Sequence, residues 1–253
     1  MPLFEQGFLT PDWPAPAGVR AVCTTRTGGV SVAPYDSLNL GDHVGDAPAH
    51  VAANRAIFQQ AISAHPVFLN QVHGTEVVRI HAGSPDGTVA DACLASQPGV
   101  ACTVMVADCL PVLFATAQGN QVAAAHAGWR GLAGHGGVGV LEATVRRLHT
   151  NDIIAWLGPC IGPQAFEVGD EVRAAFTTCD PLAGDCFIPL TPGKWLADLA
   201  ALARLRLRAL GINQIHGNDS SAAWCTVGNA SRFFSYRRDH ITGRFCASVW
   251  RQA

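Results

Sequence analysis

Three short segments of this chain carry side chains able to bind a metal or attack a substrate: NQVHGTEV at 70–77, ADCLPVLFA at 107–115 and AAHAGWRG at 124–131. His73, Cys109 and His126 together offer two imidazoles and one thiolate. A catalytic zinc site uses three such ligands and leaves the fourth position open for water or substrate. The spacings of 36 and 17 residues fit no short ligand motif, so folding must bring the three together. Hydrogen-bonded loop histidines and a packed thiol would leave the same trace in the sequence. A second chemistry for the same residues is a nucleophilic Cys109 activated by an imidazole. Pro111 predicts that Cys109 lies on a turn entering a strand, accessible but without a helix N-terminus to activate it. The zinc-deaminase signature, His-x-Glu followed by Pro-Cys-x-x-Cys, is absent.

The elements that must position these residues are strands. Runs rich in β-branched and aromatic residues predict strands at 19–25, 75–80, 100–107, 111–116, 121–126, 153–157, 232–236 and 245–250. Each of the three reactive segments begins or ends one of them, so neighbouring strands would set His73, Cys109 and His126 at one sheet edge. Helices are predicted at 48–64, 136–149, 169–178 and 194–210. The last keeps Leu196, Leu199, Ala200, Ala203, Leu207 and Leu210 on one apolar face and stops at Gly211. Strands gathered in the middle and helices spread between them indicate the α+β class, with mixed sheets packed together and flanked by helices. No linker, repeat or low-complexity tract divides the chain, and one domain over 1–253 is the expectation.

Composition bounds the partners. Of 253 residues 49% are hydrophobic and 14% charged, with a net charge of −2, which gives no electrostatic footprint for nucleic acid or an anionic membrane surface. Nine scattered cysteines, an odd number without any Cys-x-x-Cys, do not form a secreted disulfide framework. The first residues lack the basic and apolar regions of a signal peptide, and the longest apolar stretch, around 99–117, is interrupted below membrane-spanning length by Asp108 and Pro111. A reduced, cytoplasmic chain is expected, with its state as monomer or dimer left open.

Together with RTGGVS (26–31), SLNLGDHVGD (37–46), LGPCIGPQAFEVGDEV (157–172) and SYRRDHITGR (235–244), the three segments resemble the laccase-domain family. That family is also called the multicopper polyphenol oxidase or peptidoglycan editing factor family, and it includes bacterial purine nucleoside phosphorylases. The resemblance runs nearly end to end. It implies an α/β/β/α-like domain with zinc at His73, Cys109 and His126. The implied activities are phosphorolysis of adenosine, inosine, guanosine and methylthioadenosine, and deamination of adenosine. The oxidase name implies copper, yet the repeated His-x-His pairs of a multicopper centre are absent. The alternatives are a copper oxidase and a cysteine hydrolase of peptidoglycan precursors, with Cys109 as nucleophile and His126 as base.

Phosphorolysis needs donors for phosphate. Arg130 in HAGWRG is the first local choice and Arg26 in RTGGVS the second; a surface arginine or a clamp on a loop carbonyl is the competing role for each. Asn39, Asp91 and Glu167 are candidates for the ribose hydroxyls or for support of a ligand histidine, and Glu167 equally for capping the helix near Gly169. Gln71 is expected to line the pocket. Trp129, Phe166 and Phe234 are candidates to stack on a purine, while His43 and His135 stay outside the metal set. After HAGWRGLAG the chain carries HGGVGVLEATV, Gly-richer and slightly longer than the family pattern, which places a different loop beside the expected site.

Overall fold

The computed structural model describes residues 4–5 and 7–252, with 25% helix and 30% strand. Two six-stranded mixed sheets lie face to face. The first has the order β1 (Phe4–Glu5), β2 (Phe8–Leu9), β3 (Val19–Thr24), β15 (Phe245–Arg251), β7 (Val100–Val106) and β4 (His65–Phe68). The second has the order β14 (Gln214–Gly217), β10 (Ile153–Leu157), β8 (Leu110–Thr116), β9 (Val122–Ala127), β6 (Ala92–Ala95) and β5 (Val77–Arg79). A small third sheet joins β11 (Glu167–Gly169), β13 (Lys194–Ala197) and β12 (Phe187–Thr191).

The alternation of side chains along each strand sorts the apolar residues into three layers. Cys102, Val104 and Val106 of β7 and Phe245, Ala247 and Val249 of β15 face Leu113 and Ala115 of β8 and Ala124 of β9, which makes the layer between the sheets. The opposite faces of β7 and β15 present Ala101, Met105 and Trp250 to the helix α1 (Pro48–Ile62), through Phe58 and Ile62. The far face of the second sheet, with Leu110, Val112 and Phe114, packs under α3 (Val140–Leu148) and α5 (Leu199–Ala209). The order is therefore helix, sheet, sheet, helices. Both inner sheets are covered on both faces, which accounts for strands that read as continuous apolar runs.

Local signals place most element ends. Asp198 caps α5 by accepting a hydrogen bond from the Ala201 amide at 2.8 Å, so this helix begins at Leu199 and the residues predicted to open it form β13 instead. In α3 the Glu142 carboxylate reaches back to the Gly139 amide at 2.8 Å, and the glycine loop before it stays outside the helix. The helix expected near Gly169 is α4 (Asp170–Thr177). The strand predicted at 232–236 is not one. Phe233 and Phe234 are fully buried, but their backbone turns into the short helix α6 (Tyr236–Asp239); burial rather than sheet pairing explains their aromatic character. A short helix, α2 (Trp129–Ala133), follows β9 directly. Among the described residues no helix is long and apolar enough to cross a membrane.

Candidate active site

The site sits at one open end of the two packed sheets, where the chain crosses from β7 in the first sheet to β8 in the second. Asp108 makes that corner at φ 95°, a conformation rare outside glycine. Its carboxylate takes the Thr226 hydroxyl and the Arg237 amide, both at 2.6 Å, and its carbonyl accepts from the Ile161 amide at 2.9 Å. These bonds anchor the turn that carries Cys109. His126 follows on the last turn of the pleat in β9, on the side facing the first sheet, and His73 stands in the loop before β5 at φ 61°.

Asp91, wholly buried, holds the two histidines in place. One carboxylate oxygen accepts from His126 Nδ1 at 2.8 Å and the His73 amide at 2.9 Å; the other accepts from the amides of Val72 and Gly74 at 3.1 and 2.6 Å. A carboxylate can only accept, so His126 carries a proton on Nδ1, and Nε2 is the nitrogen it presents to Cys109. Two glycines of HAGWRG complete the approach. A side chain at Gly128 would sit 2.8 Å from His73 Cδ2 and 2.9 Å from Cys109 Sγ, and one at Gly131 would sit 2.7 Å from the Gly74 carbonyl.

The result is a tight triad. Cys109 Sγ lies 3.7 Å from His73 Nε2, the two imidazole rings meet edge to face at 4.8 Å, and the three ligand atoms lie within 4.8 Å of one another. Among the described residues this is the one group of His, Cys, Asp and Glu side chains arranged to hold a metal ion. Burial works to raise the Cys109 pKa, but His126 and His73 outweigh it and bring the thiol down to about 6. Burial likewise opposes charge on His126, and the Cys109 and Asp91 charges outweigh it and raise the imidazole to about 9. Desolvation pushes the Asp91 carboxyl upward, while the bond and charge of His126 and the loop amides hold it below its ordinary value. These shifts describe a thiolate–imidazolium pair, and the same thiolate is the form that binds metal.

A cavity of about 380 Å³ opens beside the triad. Trp129 and Phe166 line it, as do Met105 and Leu199, whereas Phe234 belongs to the core beneath the Arg26 guanidinium. Gln71 reaches the wall with its amide already used: its Nε2 donates to the Met105 carbonyl and its Oε1 accepts from the Met105 amide, both at 2.8 Å.

Four of the sequence candidates stand elsewhere. Arg26 donates to the carbonyls of Asp36 and Ala230 and pairs with the Asp36 carboxylate at 3.3 Å, the clamp role rather than a pocket role. Arg130 is exposed and stacks on the Trp129 ring, 4.4 Å from its centroid, outside the cavity lining. Asn39 is wholly buried in its own loop. Glu167 is on β11, exposed, 3.8 Å from Lys194, and α4 is capped without it. Gly136 and Gly137 of the HGGVG loop line a separate cavity of about 410 Å³ with Arg206 and Phe176, not the site beside the triad.

Three polar lining residues, Tyr236, Arg237 and Arg244, are not singled out by the sequence, and His43 is named there only as a histidine outside the metal set. His43, Tyr236, Arg237 and Arg244 form the wall that completes the cavity. Their signal was the density of polar side chains in SLNLGDHVGD and SYRRDHITGR, just as polar residues beside apolar strands marked the triad.

The model of the family described as multi-copper polyphenol oxidoreductase laccase matches residues 20–252. The chain is 52% identical over 249 residues to a protein of Pseudomonas aeruginosa named as a purine nucleoside phosphorylase, covering 97% of this chain and 98% of that one. It is 50% identical over 247 residues to the purine nucleoside phosphorylase YfiH of Escherichia coli, covering 96% and 98%. Among solved structures, a Neisseria meningitidis protein superposes with a TM-score of 0.90 at 49% identity, covering 98% of this chain and 100% of that one. YlmD of Geobacillus stearothermophilus superposes at 0.91 with 31% identity, covering 99% and 98%. With the family model spanning nearly all of it and close relatives matched end to end, this chain belongs to the multi-copper polyphenol oxidoreductase laccase family.

Proposed function

We propose that this protein is a zinc-dependent purine nucleoside phosphorylase that also deaminates adenosine. The observation that carries it is a single cavity with His73, Cys109 and His126 on one wall and the cationic side chains of Arg237 and Arg244 on another. The names of the relatives support the phosphorylase part of this reading. Adenosine, inosine, guanosine and methylthioadenosine are the proposed nucleosides, with phosphate as the second substrate.

The donor set fits zinc rather than a multicopper centre. Zinc–sulfur and zinc–nitrogen bonds of about 2.3 and 2.0–2.1 Å at a tetrahedral angle place the two donor atoms roughly 3.6 Å apart, and Cys109 Sγ and His73 Nε2 stand at 3.7 Å. Bound there, zinc supplies Lewis acidity. Asp91 fixes which nitrogen His126 presents, and the orientation is set before any ligand arrives.

In phosphorolysis the C1′–N9 bond of the nucleoside breaks and an oxygen of hydrogen phosphate bonds to C1′. The electron pair leaves with the purine, which takes up the phosphate proton. The chain must hold phosphate against C1′ and shield the oxocarbenium-like state from water. The arginine wall serves the first need, and Phe166 and Trp129 offer apolar surface against which a purine ring can lie. Deamination exchanges the C6 amine of adenosine for a water oxygen and releases ammonia, so it needs no phosphate.

Incubating the pure protein with adenosine tests this directly. Adenine and ribose 1-phosphate should form only with phosphate present, and inosine with or without it. Zinc content should fall in His73→Ala and Cys109→Ala; unchanged content in both would remove the metal site. The Cys109 thiol at about 6 also suits a nucleophile. If metal-replete protein turns over no purine nucleoside while a thiol-directed probe labels Cys109 rapidly, a cysteine hydrolase replaces the phosphorylase.

A further inference from the structure

We infer that Arg244 is the anion-receiving residue of the cavity and takes the phosphate, an inference that rests on reading the protein as a phosphorylase. Four arginines are candidates, two named from the sequence and two lining the cavity, and their guanidinium contacts separate them. Arg26 is spent on the carbonyls of Asp36 and Ala230, and Arg130 lies on Trp129 outside the cavity lining. Arg237 reaches the wall but commits both terminal nitrogens to the Glu167 carbonyl at 3.2 Å. Arg244 commits one, with Nη1 donating to the carbonyls of Thr242 and Gly243 at 3.1 Å. Among the described residues its Nε and Nη2 make no hydrogen bond. That edge of a guanidinium is a two-donor fork matching two oxygens of a phosphate.

No protein carboxylate neutralises it. Asp108 is the one acidic residue lining the cavity, and its two oxygens are taken by Thr226 and the Arg237 amide. Burial lowers the Arg244 pKa against the charges of Cys109 and Asp108, which puts the guanidinium within electrostatic reach of the triad; it stays charged all the same. The residue is also deliberately seated. Its amide donates to Asn39 Oδ1 at 2.8 Å, and Gly41 leaves room for its stem, since a side chain there would sit 2.8 Å from Arg244 Cγ.

The test uses inorganic phosphate on the metal-replete protein. Phosphate binding is followed by phosphorus NMR or calorimetry, and KM is measured for phosphate and nucleoside, in wild type, Arg244→Lys and Arg244→Gln. Losing a charge-assisted pair should weaken phosphate binding ~10-fold or more in Arg244→Gln and by an intermediate factor in Arg244→Lys, with metal content unchanged and nucleoside affinity within about twofold. A phosphate Kd in Arg244→Gln within about twofold of wild type overturns the inference, as does a wild type that binds no inorganic phosphate. Should the variant fail to fold, phenylglyoxal labelling of the wild type decides: phosphate must slow modification of Arg244 and leave Arg130 unaffected, and equal rates for Arg244 with and without phosphate overturn it. A wild type that binds phosphate through Arg244 yet cleaves no nucleoside sinks the phosphorylase and leaves the anion site standing.

Discussion

The two walls of the cavity are held by different means. On the triad wall, β6 and β9 pair in register with Ala92 opposite Ala125, so Asp91 and His126 stand side by side before any side chain bonds. Asp91 then gathers His126 and the 72–74 amides as a buried charge. On the arginine wall β15 and β7 pair with Phe245 opposite Val106, which sets Arg244 next to Ala107, and the buried fastener is a neutral amide. Asn39, equally buried, joins two loops 205 residues apart in sequence: its Oδ1 accepts from the amides of Gly41 and Arg244, and its Nδ2 donates to the Gly41 carbonyl and the Asp46 carboxylate. Sheet register thus starts both walls, and what differs is the fastener: a buried carboxylate on one, a neutral amide between loops on the other.

Removing each fastener should break one wall and spare the other. Asp91→Ala strands His126 Nδ1 and three amides; at about 1–3 kcal/mol for each strongly buried unsatisfied group, partly relieved by relaxation, roughly 3–5 kcal/mol of stability should be lost. Zinc content should collapse with it, read by thermal unfolding and elemental analysis. Asn39→Ala strands the buried amides of Gly41 and Arg244 and takes one donor from the Asp46 carboxylate, which keeps the Ser31 hydroxyl and the Ala47 amide; roughly 2–3 kcal/mol is expected. Its zinc content should hold while phosphate affinity falls. Zinc loss in Asn39→Ala equal to that in Asp91→Ala would mean that the walls are one cooperative unit.

Legibility in the sequence follows the same division. The strand at 153–157 is read to the residue because Ile153–Leu157 is apolar at every position and buried on both faces. His73, Cys109 and His126 were visible because reactive residue types interrupt apolar strands. Asp91 and Asn39 were noticed as polar residues in motif segments, but whether such a residue touches a substrate or the backbone depends on partners that only the fold supplies. Phe233 and Phe234 misled because a buried aromatic in an irregular turn has the same composition as one in a strand. Arg244 could not be told from the other fifteen arginines, since what distinguishes it is which of its donors remain unpaired.

The protonation of the triad gives a sharper test of the first wall. Between about pH 6 and about 9 the Cys109–His126 pair keeps one proton, held on the imidazole. Metal binding must expel it, so zinc affinity should rise with pH, about tenfold per unit, until it levels above about 9. Below about 6 a second proton must leave and the slope steepens. Calorimetry in buffers of different ionisation enthalpy should count about one proton released at pH 7.5. A flat profile from 6.5 to 8.5 would mean that the pair carries no proton in the metal-free protein. Phosphate affinity on the other wall should not follow this slope when the metal is saturating.

The smallest effect belongs to Arg130, and its smallness is informative. The side chain is exposed, and its one contact of note is the Trp129 face; a cation–π pair at an exposed site is worth about 0.5–1 kcal/mol. Arg130→Ala should therefore lower stability by no more than that, leave zinc content alone and change the phosphate KM less than about twofold. Trp129 lines the cavity beneath it, so the nucleoside KM is where any trace of Arg130 should appear, through a looser indole. A phosphate KM raised as far as in Arg244→Gln would bring Arg130 into the cavity during turnover. It would also make α2 a mobile third wall, placing a phosphate donor on the helix that directly follows the strand of a metal ligand.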